Sequence, residues 1–502
     1  MDLLGNLAQG FQIGLQPINL LYCFIGVVLG TLVGVLPGIG PSATIALLLP
    51  TTFHISPVSA IIMLAGIYYG AQYGGSTTSI LVNIPGEAAS VVTCLDGYQM
   101  ARKEKAGPAL GISAFGSFIA GTLSVVGLMV LAVPLASVAL RFGFPEYFAI
   151  MCLGLSIVSY LGQGSFFKSL LMAALGVSIS FVGMDVVVGK PRFDFGLLVL
   201  GDGVGLIPLL MGMFGIAEVF SNLEQKEQAR DVFQAKIQGL LPTLQDWKDS
   251  WGAILRGSAL GFFLGILPGG GAVVASFLSY AVERKISSHP EKLGTGVIEG
   301  VAAPESANNS ATGGAFIPLF VLGIPSNVAM AMLLGALMIH GLQPGPLLIR
   351  DHPEIFWGTV ASMYIGNAML LVLNLPLIGL WVKLLKVPYQ ILFPMILLFC
   401  MIGAYSMNNN PADMLVMLVF GVLGYLLRKY GYELAPLVLA FILGPQMEQA
   451  FRQSLIMADG SLAIFFTRPI SAVAMGLAIF LLISAFLPAW KKRKQKIEGE
   501  IT

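Results

Sequence analysis

Long apolar runs separated by short polar patches dominate the chain. Ile18 to Leu36, Ala109 to Leu135, Phe356 to Leu380 and Leu462 to Leu487 are examples, and each reaches the roughly 20 mainly apolar residues that a helix needs to cross hydrocarbon. About 10–12 such spans can be drawn along the chain, several of them interrupted by Gly and Pro. The pattern predicts an all-α polytopic integral membrane protein. The longest polar stretch, 222–250, interleaves Lys226, Arg230, Lys236 and Lys248 with acids, and reads as a cytoplasmic linker. It separates a first membrane repeat, 1–221, from a second, 251–490, and a basic tail, 491–502, follows.

The two repeats are visible as a pattern of small residues. One constant shift carries Gly26, Gly30, Gly34, Pro37, Gly38 and Gly40 onto Gly257, Gly261, Gly265, Pro268, Gly269 and Gly271. Even with 60 glycines in 502 residues, such a run of coincidences marks an internal duplication. With small insertions the match continues: Gly74-Gly75 falls on Gly313-Gly314, and Ile84-Pro85-Gly86 on Ile324-Pro325-Ser326.

Loop charges orient the halves. Arg102, Lys103 and Lys105 follow the first Ile-Pro motif, whereas the equivalent second-half loop has only Arg350 beside Asp351 and Glu354. After the Leu-Pro-Gly motifs the bias reverses, with no base in 51–57 but Arg284, Lys285 and Lys292 in the second half. Equivalent loops are therefore expected on opposite sides, as in inverted-topology repeats. The run Lys491, Lys492, Arg493, Lys494 and Lys496 puts the C-terminal tail in the cytoplasm. The first 17 residues contain no Lys or Arg, so the first span is expected to be retained rather than cleaved as a signal peptide.

Composition narrows the class. Hydrophobic residues make up 56% of the chain and charged residues 11%, against about 25% charged in soluble domains. A net charge of +1 excludes nucleic-acid binding. Cys23, Cys94, Cys152 and Cys400 lie singly in apolar segments and form no metal or disulfide pattern. His54, His289, His340 and His352 form no HExxH pair, and neither a phosphate loop nor a GxSxG elbow is present. No catalytic residue, cofactor or resident metal is expected.

The candidate chemistry lies where helices must break. Pro37, Gly38 and Gly40 with Ser42, and Pro268, Gly269, Gly270 and Gly271, put helix breakers inside apolar runs. Freed peptide groups in hydrocarbon must be satisfied by protein, water or a guest, and a restarted helix turns its positive end and free N–H groups toward an anion. Ser76, Thr77 and Thr78 lead into Asn83, Pro85 and Gly86, while Asn308 and Asn309 lead into Pro325 and Ser326. Their hydroxyls, amides and open backbone suit an oxygen-rich anion. Glu305 would repel a carboxylate, so with Ser306 and Asn309 it is the candidate site for a coupling cation, Na⁺ or H⁺.

The paired LPGxG breaks, GGSTTSILVNIPGE and PESANNSATGGAFIPLFVLGIPS resemble the large membrane subunit of tripartite tricarboxylate transporters over nearly the whole chain. That resemblance implies a permease of the bacterial inner membrane importing citrate-like tricarboxylates or related organic acids by alternating access, coupled to a cation gradient. It also implies two partners, a small four-span membrane subunit and a periplasmic substrate-binding protein. One motif differs between the halves, with Ser326 where the first has Gly86. An anion or solute channel, separated by uncoupled turnover, and a non-transporting receptor or assembly scaffold, separated by docking without uptake, are the alternatives.

Overall fold

A computed structural model describes residues 3–36, 40–161, 165–185, 188–197, 200–224, 239–269, 271–287, 289–384 and 389–484. Pro37, Gly38, Gly270, residues 225–238 of the expected linker and the basic tail 491–502 lie outside the described residues. The fold is helical, with a single two-stranded β-hairpin, Gly183–Met184 and Pro191–Arg192, among the described residues. The main helices are α1 Leu3–Gly14, α2 Pro17–Val35, α3 Gly40–Leu48, α4 Pro57–Val82, α5 Ala106–Ala139, α6 Phe144–Leu161 and α7 Phe166–Ser180. They continue with α8 Leu206–Glu224, which holds a π-helical segment, then α9 Leu244–Ile266, α10 Gly271–Ile286, α11 Glu299–Gly314, α12 Phe316–Leu322 and α13 Val328–Ile339. The chain ends with α14 Pro353–Asn374, α15 Tyr389–Asn408, α16 Pro411–Lys429, α17 Leu434–Met457 and α18 Pro469–Ser484. Among the described residues, 6 helices are long and apolar enough to cross a membrane, α2, α5, α8, α14, α16 and α17, and shorter apolar helices accompany them. The chain is a polytopic all-α membrane protein.

Local chemistry sets the helix starts. Pro17, Pro57, Pro353 and Pro411 stand in first turns, where a missing N–H costs nothing. Ser56 caps α4 through the Ser59 amide, and Thr243 with Asp246 forms a capping box on α9. Helix therefore extends into both ends of the stretch expected to be linker, to Glu224 on one side and from Leu244 on the other.

The glycine stripes decide the packing. Gly26, Gly30 and Gly34 of α2 face the carbonyls of Met63, Ile67 and Ala71 on α4, so the two helices run parallel in backbone contact. Gly257, Gly261 and Gly265 of α9 face Ala303, Ala307 and Ala311 of α11 in the same way. A methyl at Gly34 or Gly261 would stand 2.2 or 2.1 Å from a carbonyl oxygen, and only a bare backbone permits that approach. In each case the helix after the Leu-Pro-Gly motif, α3 or α10, returns the chain so that the third can run beside the first. The two triplets interlock with helices from the other part of the chain. Helix α5 packs on α11, α14 on α4, α7 on α17, and α16 on the π segment of α8.

The basic loops share one end of the molecule. Lys103 Nζ donates to the Thr295 carbonyl (2.5 Å). Buried Asp96 accepts the amides of Gly294, Gly296 and Val297 at 2.7–3.0 Å and the Tyr280 hydroxyl at 2.8 Å. The linker's C-terminal part joins them, with Leu240 against Gly111 and Trp247 against Phe115. At the opposite end Gly358 packs on Ile13 and Val58. Helix α18 starts beside α6, where Arg468 Nε donates to Glu146 (2.6 Å) and Ser471 Oγ to the Pro145 carbonyl (3.2 Å), and packs along it.

Candidate functional site

The described residues at the two breaks of each half pack together. Helix α4 ends on Asn83, whose backbone is left-handed (φ 57°), and the chain then folds back until Gly86 lies between Gly34 and Gly75. A methyl at Gly86 would stand 1.9 Å from the Gly34 carbonyl oxygen. In the second half α12 ends on Gly323 (φ 69°), and the Gly269 amide donates to the Ser326 carbonyl (2.8 Å). Each break also touches the other half. Ala89, just past the first Ile-Pro motif, clusters with Ala272 and Ala275 of α10 and Ala307 and Ala311 of α11. Helix α13, just past the second, packs on α3 and α4, and Asn327 Nδ2 donates to the Tyr68 hydroxyl (2.9 Å) while Asn327 Oδ1 caps α13. Gly40 and Gly271, where α3 and α10 begin, have positive φ, and nothing lies within 4 Å of the position a Cβ would take. A side chain at either position would meet no described atom, and Ser42 is half-buried in the first turn of α3.

Glu305 is fully buried in α11, not at a water interface. Ser76 donates to one of its oxygens and Thr93 to the other, and Asn308 Nδ2 lies 3.5 Å away. Asn309 Nδ2 donates to Ser117 Oγ (2.8 Å) and to the Glu305 carbonyl (3.1 Å). Every contact to this carboxylate comes from a neutral donor, and among the described residues no Lys or Arg pairs with it. Beside it Tyr73 donates to Asn367 Oδ1, and Asn367 Nδ2 donates to the Phe118 carbonyl (2.8 Å). A cavity of about 20 Å³ lies between Tyr73, Ser124, Asn309, Thr312 and Asn367, room for a single water and far short of a tricarboxylate.

Two expectations about this region need correction. Ser76, Thr77 and Thr78 sit in unbroken α4 and Pro304 to Ser310 in unbroken α11, so neither segment presents open backbone. Their hydroxyls bond inward instead, Thr78 to the Val35 carbonyl (2.8 Å) and Ser310 to the Ser258 carbonyl (2.7 Å), which lets small polar residues persist in tightly packed helices.

Residues 20–439 match the tripartite tricarboxylate transporter TctA family. The chain belongs to that family. It is 51% identical over 497 residues, 99% of each chain, to an "Uncharacterized 52.8 kDa protein in TAR-I ttuC' 3'region" of Agrobacterium vitis. It is also 50% identical over 237 residues, 47% of this chain and 98% of the relative, to an "Uncharacterized protein in TAR-II ttuC' 3'region" of the same organism. No solved structure matches. As a TctA-family protein the chain is a tricarboxylate transporter subunit, and a tripartite system implies further subunits.

In this TctA-family chain the predicted residues divide into two groups. Gly40, Ser42, Pro85, Gly86, Pro268, Gly269, Gly271, Pro325 and Ser326 lie at the converging breaks. Ser76, Glu305, Asn308 and Asn309 form one hydrogen-bonded cluster, with Ser306 buried beside them in α11. Asn83 stands apart, exposed at the end of α4. Thr93, Ser117 and Asn367 were not visible in the sequence, since nothing near them sets them apart from other polar residues in small-residue helices.

Proposed function

We propose that this protein is the permease subunit of a binding-protein-dependent secondary transporter that imports citrate-like tricarboxylates or related organic acids by alternating access. One observation carries the reading: a buried carboxylate with only neutral donors lies where two interlocked, twice-broken helical units meet. A carboxylate in that setting is stable when it holds a proton or a cation. The substrate anion takes the other pole of the site, the free N-terminal ends of α3 and α10 at Gly40 and Gly271. Glu305 therefore serves the coupling ion, Na⁺ or alternatively H⁺, and helix dipoles serve the substrate.

The shared end that gathers 102–105, 284–297 and the linker is the cytoplasmic one by the positive-inside rule. Helix α18 runs beside α6 away from the far end and ends toward that same side of the bacterial inner membrane, which agrees with the cytoplasmic place that its charge gives the basic tail. A small four-span subunit and a periplasmic binding protein complete the system, as its tripartite nature requires.

The test is uptake of radiolabelled citrate by proteoliposomes holding the three components, with and without an inward Na⁺ gradient at fixed pH. Stoichiometric, gradient-driven accumulation is expected. Uptake indifferent to both Na⁺ and pH rejects the coupling, and ionic current without stoichiometry turns the reading to a channel.

A further inference from the structure

A second carboxylate lies close to the first. Glu87 follows the first Ile-Pro-Gly motif, and its side chain packs on Gly75, the residue before Ser76; a methyl at Gly75 would stand 2.8 Å from Glu87 Cγ. The Gly75-Ser76 step of α4 thus carries Glu87 on one residue and the Glu305 carboxylate on the next. The Gln72 side-chain amide lies against the Glu87 carboxylate one turn earlier on α4. Gln72 is only 2% exposed, and its Oε1 has no hydrogen-bond partner among the described residues. Glu87 Oε1 is likewise buried without one. The Glu87 carboxylate thus takes the Gln72 and Ala89 N–H groups on one side, while one oxygen of each of these touching side chains is left unpaired among the described residues, although buried polar atoms are almost always paired.

We infer that Gln72 Oε1 and Glu87 Oε1 form a binding site for an alkali-metal cation beside the Glu305 cluster. Several facts favour that occupant. Both atoms are hard oxygen acceptors of the kind that hold non-transition cations. An ion here also offsets the repulsion between the Glu87 and Glu305 carboxylates. Glu87 is half-buried, not sealed, which leaves an approach from the loop side. The site's part in transport rests on the function proposed above, but its occupancy does not.

Cation binding is read on the purified full-length protein in detergent, from the midpoint of thermal unfolding as NaCl replaces choline chloride at constant ionic strength. Wild type should show a saturable, Na⁺-specific rise that choline does not reproduce. Glu87→Gln and Gln72→Met should each raise the half-saturating Na⁺ concentration about tenfold or more, roughly 1.4 kcal/mol of binding energy. Gly75→Ala, by pushing Glu87 aside, should do the same without removing any ligand. Glu305→Gln should retain a Na⁺-specific rise. The site is overturned if wild type does not distinguish Na⁺ from choline, or if Glu87→Gln and Gln72→Met, recovered monodisperse, respond to Na⁺ as wild type does. Should Glu87→Gln not fold, Glu87→Asp and Gln72→Met decide in its place. A Na⁺-responsive protein that imports no carboxylate would reject the transport reading and keep this site; the reverse outcome would do the opposite.

Discussion

Glu305 gathers donors from three elements onto one side chain. Removing it and neutralising it should therefore differ. Glu305→Gln keeps the shape and most of the hydrogen bonding, so it should fold, keep its KM for citrate within about threefold, and raise the half-saturating concentration of the coupling ion about tenfold. Glu305→Ala strands Thr93 and Asn308 in the interior, while Ser76 keeps the Gln72 carbonyl, and leaving buried donors unpaired costs about 1–3 kcal/mol. Thermal unfolding in detergent should show that loss for the alanine variant alone. Glu305 was legible in the sequence, because an acid inside a run of Gly, Ala and Asn is out of place in a membrane unless it has work to do. Thr93 was not. It comes to Glu305 only after the chain has turned back past Gly86, a reversal with no local periodicity to announce it.

At the scale of elements, the two parallel pairs, α2 with α4 and α9 with α11, set the positions of everything else. Gly261→Leu should wedge α9 from α11, since even a methyl there meets the Ala307 carbonyl at 2.1 Å; overpacking of this kind costs about 1–3 kcal/mol or more. Because Glu305 lies between the seats of Gly257 and Gly261 on α11, uptake should fall with stability. Gly476→Ala, where nothing lies within 4 Å, should leave both unchanged. Asp96 is the corresponding tie for the basic loops. Asp96→Asn removes the charge that three loop amides and Tyr280 share, and hydrogen bonds to a charged group are worth about 1.5–3 kcal/mol. Limited trypsin digestion should then cut faster after the exposed Lys292. The stripes were readable as packing surfaces, but their partners were not, because a bare ridge fits any helix that can approach it.

Across the whole molecule, each half's break is packed against the other half, so relative motion of the two units must pass through contacts such as Ala89 with Ala272. In a background lacking Cys23, Cys94, Cys152 and Cys400, Ala89→Cys with Ala272→Cys should form a disulfide when oxidised with copper phenanthroline. Citrate uptake in the complete complex should then stop, whereas single cysteines given the same reagent should remain active. Uptake that survives full crosslinking would show that transport does not need these units to separate. The duplicated motifs showed that two similar units exist; which helix of one grips which helix of the other was settled by long-range packing.

Hydropathy, repeated glycines and loop charge, read along the chain, determined a helical membrane protein with duplicated breaks and a basic side, because each is a local or periodic property that bilayer physics acts on directly. The packing of each half's break against the other half, the cluster around Glu305, the return of the loop at Gly86 and the contact of Gln72 with Glu87 were decided only in three dimensions. Such contacts join residues far apart in sequence, and their energies depend on burial and on which donors are left over, quantities that exist only once the helices have packed.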